Sequence, residues 1–210
     1  MRLVAIDVLL EPDAATVERA RAINARLKAN FSAGFALDEA HAPHVTLVQC
    51  FVREEDVTRV AKALRAMLGA IGKVDWQSRA VALYALTHEN LGLMGIVIAP
   101  TPDLVRVQAK VIETLQPFLV ARGTAEAFAL NADGSLVNQP TVDYVNGFTA
   151  TRIGDNYHPH LTVGIGKLDF VEVLKAETFA AFPVSAVGVG LYRLGNFGVA
   201  REKLHDLHRC

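Results

Sequence analysis

Two stretches set 116 residues apart share one pattern: Pro43-His44-Val45-Thr46-Leu47 and Pro159-His160-Leu161-Thr162-Val163. In an extended strand alternate side chains share a face. His44 and Thr46 therefore point one way and Val45 the other, and His160, Thr162 and Leu161 repeat the arrangement. Each copy presents one imidazole beside one hydroxyl. Two such pairs converging on a shared cleft suit phosphodiester chemistry. An imidazole, titrating near neutrality, serves either as the base that takes a proton from attacking water or as the acid that protonates the leaving oxygen. The hydroxyls hold the non-bridging oxygens and stabilise charge there. This chemistry calls for no metal and no cofactor.

The elements that must position these residues follow from periodicity. Residues 2–10 read as a buried strand interrupted by Asp7. Asp13 then caps a helix in which Val17, Ala20, Ile23, Leu27 and Phe31 recur at helical spacing. The first motif strand spans about 44–52. A helix with acidic residues at its start follows, its apolar stripe formed by Val57, Val60, Ala61, Leu64, Leu68 and Ile71. Strands at 76–87 and 91–99 join through a turn at Glu89-Asn90. Thr101, Pro102 and Asp103 open another helix that runs toward Pro117, with Leu104, Gln108, Val111 and Leu115 on one side. Residues 121–156 show no clear periodicity and read as a long loop or lid insertion. After the second motif strand at 160–166, Asp169 and Glu172 have the spacing of a capping box and open a helix to about Phe179. Strands at 183–194 and 197–204 complete the chain. The expected fold is α+β and bilobal: two pseudo-symmetric, mostly antiparallel sheets backed by helices around a central cleft, forming a single catalytic domain over residues 1–210.

The doubled motif, each copy followed by a helix, resembles the two-histidine (2H) phosphoesterase superfamily, whose members carry two His-x-Thr/Ser-x motifs on a bilobal fold. The proline before each histidine is common in the group that holds the bacterial RNA 2′,3′-cyclic phosphodiesterases, historically called 2′-5′ RNA ligases. The resemblance implies a metal-independent phosphodiesterase acting on a 2′,3′-cyclic phosphate or related 2′-linked ester. Its partner would be a nucleotide, a short oligonucleotide or an RNA end bearing a cyclic phosphate. It carries the catalytic roles to His44 and His160 and phosphate binding to Thr46 and Thr162. Pseudo-symmetric motifs do not reveal which histidine is acid and which base. The separation of the two copies is longer than expected for the compact bacterial members, and the extra length falls in 121–156.

Around the motifs, His41 and His158 are candidate rim residues and substrate contacts. Tyr157 is a candidate surface on which a base would stack. Tyr144, Phe148 and Arg152 are candidates for a lid, with Arg152 as a phosphate partner. Two other readings compete. Four imidazoles, those of His41, His44, His158 and His160, would serve a zinc-dependent hydrolase, and a nucleotide-binding module would keep the cleft without turnover.

Bulk properties narrow the field. A chain of 210 residues with 51% hydrophobic and 20% charged residues has a globular composition. A net charge of −1 argues against holding long nucleic acid by phosphate neutralisation. Two cysteines, Cys50 and Cys210, give neither a metal spacing nor a disulfide framework. No stretch approaches the roughly 18 to 20 apolar residues of a membrane span and no signal peptide is evident, so a cytoplasmic location is expected, with no membrane association and no protein partner inferred.

Overall fold

Pairing of the motif strands with their neighbours organises the molecule. The computed structural model describes residues 2–210. In chain order its elements are β1 (Leu3–Pro12), α1 (Ala14–Asn30), β2 (Val45–Arg53), α2 (Val57–Ala70), β3 (Gln77–His88), β4 (Leu91–Ile98), α3 (Pro102–Leu115), α4 (Gln139–Thr151), β5 (His160–Lys167), α5 (Leu168–Ala176), β6 (Phe182–Leu194) and β7 (Ala200–Arg209). The strands are antiparallel and run β2-β1-β6-β3-β4-β5, with β7 added to β6. Exchanging β1, β2 and β3 for β4, β5 and β6 leaves this order unchanged, which gives the two-lobed α+β architecture its internal symmetry. The halves join where residues 182–185 of β6 pair with β3, while residues 186–193 pair with β1. The motif strands β2 and β5, at opposite ends of the strand order, also meet each other, and the Tyr157 hydroxyl donates to the Thr46 carbonyl across 3.0 Å. One continuous core, including Val8, Leu47, Leu64, Ile96, Val111 and Leu161, spans both halves.

Both motif strands carry a bulge at the same place. Val8 pairs with Val48 but Leu9 with Thr46, so Leu47 is the extra residue; Met94 pairs with Gly164 but Gly95 with Thr162, so Val163 is extra. A bulge removes one residue from the ladder, and a buried carbonyl left without a partner is costly. Each freed carbonyl is met by a buried amide side chain. Asn24 Nδ2, on α1, donates to Val163 O at 2.8 Å and to Phe35 O at 3.0 Å. Gln108 Nε2, on α3, donates to Leu47 O at 3.1 Å and to Arg152 O at 3.0 Å. At the second bulge Gly164 has φ +147°, and a Cβ there would lie 2.9 Å from Asn24 Nδ2, so backbone and amide approach this closely only with glycine.

Most predicted elements form, with three differences. The segment 121–156 is not without regular structure: it contains α4, capped by Asn138, whose side chain accepts from Thr141 N. Thr141, Val142, Val145 and Phe148 are buried on it, so packing against β2 sustains a helix whose Gly, Asn and Thr content gives it poor intrinsic propensity. The Asp169–Glu172 capping box does not form. Helix α5 begins at Leu168, with Lys167 in the cap position and no side-chain cap, which places Asp169 inside the first turn, and the helix ends at Ala176 rather than Phe179. Strand β7 starts at Ala200 because residues 196–198 form a tight 3₁₀ turn instead. Elsewhere Asp13 caps α1 as expected and also accepts from Ser185 N of β6, tying the helix start to the sheet. No helix among the described residues is long and apolar enough to cross a membrane.

Replacing Asn24 or Gln108 with leucine strands a buried carbonyl at a motif bulge. Each substitution is expected to cost about 1–3 kcal/mol, read as a fall of roughly 3–10 °C in the melting temperature by differential scanning calorimetry.

Candidate active site

His44 immediately precedes β2 and is mostly buried, its side chain 11% exposed. Its Nδ1 lies 2.7 Å from the Ala42 carbonyl. A carbonyl only accepts, so Nδ1 carries a proton and Nε2 is the nitrogen left to exchange one. His160 opens β5 in the same manner, with Nδ1 2.9 Å from the His158 carbonyl. Both histidines are thus held as the tautomer with a reactive Nε2, each by the backbone of the residue two positions earlier.

The surroundings of the two differ sharply. Asp7 on β1 is fully buried, and its Oδ2 accepts from Thr46 Oγ1 at 2.8 Å and from Gln49 Nε2 at 2.8 Å while lying 3.5 Å from His44 Nε2. The bulge at Leu47 makes this possible. Simple alternation would send Thr46 and Gln49 to opposite faces, and the extra residue shifts the phase so that both reach Asp7. In the other half the register places Leu93 and Ile165 where the first has Asp7 and Gln49, so the equivalent pair is apolar. There the neighbour of Thr162 is Gly95, and the Tyr84 ring lies across it. The Tyr84 hydroxyl lies near Thr162, and its ring meets His160 edge-on at 5.1 Å. A Cβ at position 95 would sit 2.3 Å from the Tyr84 ring, so only glycine admits this crossing.

These differences push the two histidines apart. Burial disfavours the His44 imidazolium, but the hydrogen bond and charge of Asp7, aided by the Ala42 carbonyl, outweigh it, and His44 is held above the ordinary histidine range. Burial pushes His160 below that range. The His158 carbonyl opposes this, the charges of His44 and Arg152 act in the same direction as burial, and the charge of Asp7 opposes.

The remaining candidates separate into three groups. His41 is at the rim: it stacks on Phe35 at 5.2 Å, faces Asp38 Oδ1 at 3.2 Å, and lines a small cleft shared with His44, Thr162 and Phe197. Arg152 is exposed, lies over the Tyr144 ring at 5.4 Å and is near enough for its charge to act on His160. Tyr144 is half-buried beneath it, and His158 is exposed beside the second motif. Tyr157 and Phe148 are corrected: at 4% and 3% exposure both belong to the core, Tyr157 with its hydroxyl on the Thr46 carbonyl and Phe148 packed edge-on against Tyr144, so neither offers a face to a base. Among the described residues no group of three or more His, Cys, Asp or Glu side chains is placed to hold a metal ion, so the four histidines do not form the cluster a zinc hydrolase needs.

Sequence reasoning passed over Asp7, Gln49, Tyr84 and Phe197. Asp7 was visible as a charge inside an apolar strand, a placement that calls for a partner. The others carried no such signal, because their roles depend on strand register.

Several known proteins resemble this chain. A family model described as the 2′-5′ RNA ligase superfamily matches residues 10–195. Among solved structures, TT0787 of Thermus thermophilus superposes with a TM-score of 0.54 at 13% identity, covering 97% of each chain. E. coli LigT complexed with 3′-AMP aligns with a TM-score of 0.48 at 14% identity over 100% of this chain and 98% of its own. No curated protein matches the sequence.

Replacing Asp7 with asparagine removes the charge that favours the His44 imidazolium. The His44 ring is expected to titrate at lower pH in Asp7→Asn than in the wild type, followed by NMR of labelled histidines; an unmoved His44 titration would show that Asp7 does not govern it.

Proposed function

Because the chain belongs to the 2′-5′ RNA ligase superfamily, we propose that it is a metal-independent phosphodiesterase that opens a 2′,3′-cyclic phosphate, or a related 2′-linked ester, on a nucleotide, short oligonucleotide or RNA end. Membership supports a phosphoesterase-type activity. The observation that carries the finer reading is the pair of histidines with matching tautomers and opposite electrostatic settings, since two titratable groups pushed apart supply an acid and a base at one pH.

In this reading His160, whose burial favours the neutral ring, is the base and His44, whose charged form Asp7 favours, is the acid. His160 Nε2 takes a proton from water as the water oxygen bonds to phosphorus. The bond from phosphorus to one ribose oxygen breaks in line, and that oxygen receives the His44 Nε2 proton. The products are a phosphomonoester and a free hydroxyl. His44 is left neutral and His160 protonated, and exchange with solvent restores both. In reverse the two roles exchange, so the same residues would serve ester formation.

Thr46 and Thr162 are the phosphate ligands in this reading, but not equally. The Thr46 proton is already engaged by Asp7, so a phosphate oxygen must displace that bond. Around Thr162 the register places Leu93 and Ile165 where Asp7 and Gln49 surround Thr46, so no carboxylate competes with phosphate for the Thr162 proton. Arg152 adds positive charge at the exposed side.

The test is hydrolysis of 2′,3′-cyclic AMP and of a short RNA ending in a 2′,3′-cyclic phosphate, with EDTA present. Turnover is expected to survive EDTA and to fall about 10²–10⁴-fold in His44→Ala and in His160→Ala. Thr162→Val is expected to raise KM more than Thr46→Val. Loss of turnover with EDTA, or retention in either histidine variant, would overturn the mechanism. The pH dependence follows from the two settings: kcat/KM should rise as His160 loses its proton below the ordinary histidine range and fall as His44 loses its own above that range. In Asp7→Asn the falling limb should move to lower pH. The charged groups acting on the pair are Asp7 and Arg152, with Tyr84 edge-on against His160.

A further inference from the structure

Phe197 is an aromatic residue in an unfavourable place. It sits in the turn between β6 and β7 with φ 59° and ψ 20°, a left-handed conformation that a bulky side chain rarely adopts. The turn itself does not call for phenylalanine there, since glycine would adopt this backbone without strain. Burial does not offset the strain either: the residue is 43% exposed and belongs to none of the three hydrophobic clusters.

The conformation is enforced from outside the turn. Phe197 N donates to Thr141 Oγ1 at 2.9 Å, and Asn196 Oδ1 accepts from Asn138 N and from Thr141 Oγ1, each at 3.1 Å. Helix α4 therefore grips the turn through its first residues. From the other side Gln49, which also holds Asp7, donates to the Gly198 carbonyl at 3.4 Å. A strained backbone fixed by surrounding bonds presents an aromatic ring to the cleft lined by Phe35, His41, His44 and Thr162.

We infer that Phe197 is the surface on which the nucleobase of the substrate stacks, which makes the substrate a cyclic phosphate bearing a base rather than a small base-free one. This rests on the phosphodiesterase reading above for its reaction, though not for its binding. An aromatic face accepts any base, because every base has a π-face, so Phe197 confers a preference for nucleotides with little choice among them. The stacking role expected of Tyr157 thus falls to a residue on a different element.

The experiment compares kcat/KM for 2′,3′-cyclic AMP with that for glycerol 1,2-cyclic phosphate, which carries the same ring without a base. In Phe197→Gly the ratio of the two is expected to fall about 10-fold, while the melting temperature rises, because glycine takes the left-handed conformation without strain. Phe197→Tyr should retain the wild-type ratio. An unchanged ratio in Phe197→Gly, or the same loss in Phe197→Tyr, would overturn the assignment. If the wild type turns over neither substrate, the phosphodiesterase reading fails and calorimetric binding decides the stacking separately. Weaker binding of 2′-AMP by Phe197→Gly, with inorganic phosphate bound as by the wild type, supports the platform. Equal 2′-AMP affinity in the two proteins, or no 2′-AMP binding by the wild type, overturns it.

Discussion

The structure depends on two buried amides, each of which satisfies a carbonyl that a bulge has released. An amide nitrogen has two N–H groups, and Asn24 and Gln108 spend them in parallel ways. One goes to the bulged residue after a motif threonine, Val163 or Leu47; the other goes to the segment leading into the opposite motif, Phe35 or Arg152. Each amide thereby links both motifs, and the two links cross. The bulges in turn set the phase of both strands, so the direction in which His44, Thr46, His160 and Thr162 face depends on carbonyls that α1 and α3 must reach.

On this symmetric frame the chemistry is asymmetric. One half places a carboxylate and an amide, Asp7 and Gln49, where the other places Leu93 and Ile165. The second half opens space at Gly95 that Tyr84 fills. A symmetric site would hold two histidines of equal basicity, which would serve the proposed acid and base poorly. Substituting the residues behind the motifs, with the motifs unchanged, separates the two. The cost is a buried charge, offset by two donors at Asp7 Oδ2 and by the nearby imidazolium.

Helix α4 has no counterpart in the first half. It packs on β2 rather than hanging over the cleft, and its N-terminal residues hold the 196–198 turn. Gln49 reaches the same turn and Asp7 together. The carboxylate beside His44 and the aromatic edge of the cleft thus share one hydrogen-bonded support, so the geometry of the histidine pair and that of the cleft edge are set together.

The sequence by itself determined the doubled motif and the strand alternation that sets an imidazole beside a hydroxyl. It also determined most of the α+β element order, because hydrophobic period, caps such as Asp13 and Thr101, and the turn at Glu89 and Asn90 are local signals. Gln108 stood within an apolar stripe and Asp7 within an apolar strand, and each was a sign of a buried partner whose identity stayed hidden. Tertiary structure alone decided the rest. The one-residue bulges shift which side chains share a face and leave no mark in the residues that form them. Helix α4 exists through burial against β2 despite poor propensity. Tyr84 lies against His160 only because the residue it crosses is a glycine on another strand, and Tyr157 turns inward because its hydroxyl finds the Thr46 carbonyl, 111 residues away in sequence. Which histidine is pushed up and which down belongs to the same class: the motifs are alike, and the carboxylate of Asp7 beside His44 and the burial of His160, with Arg152 nearby, distinguish them.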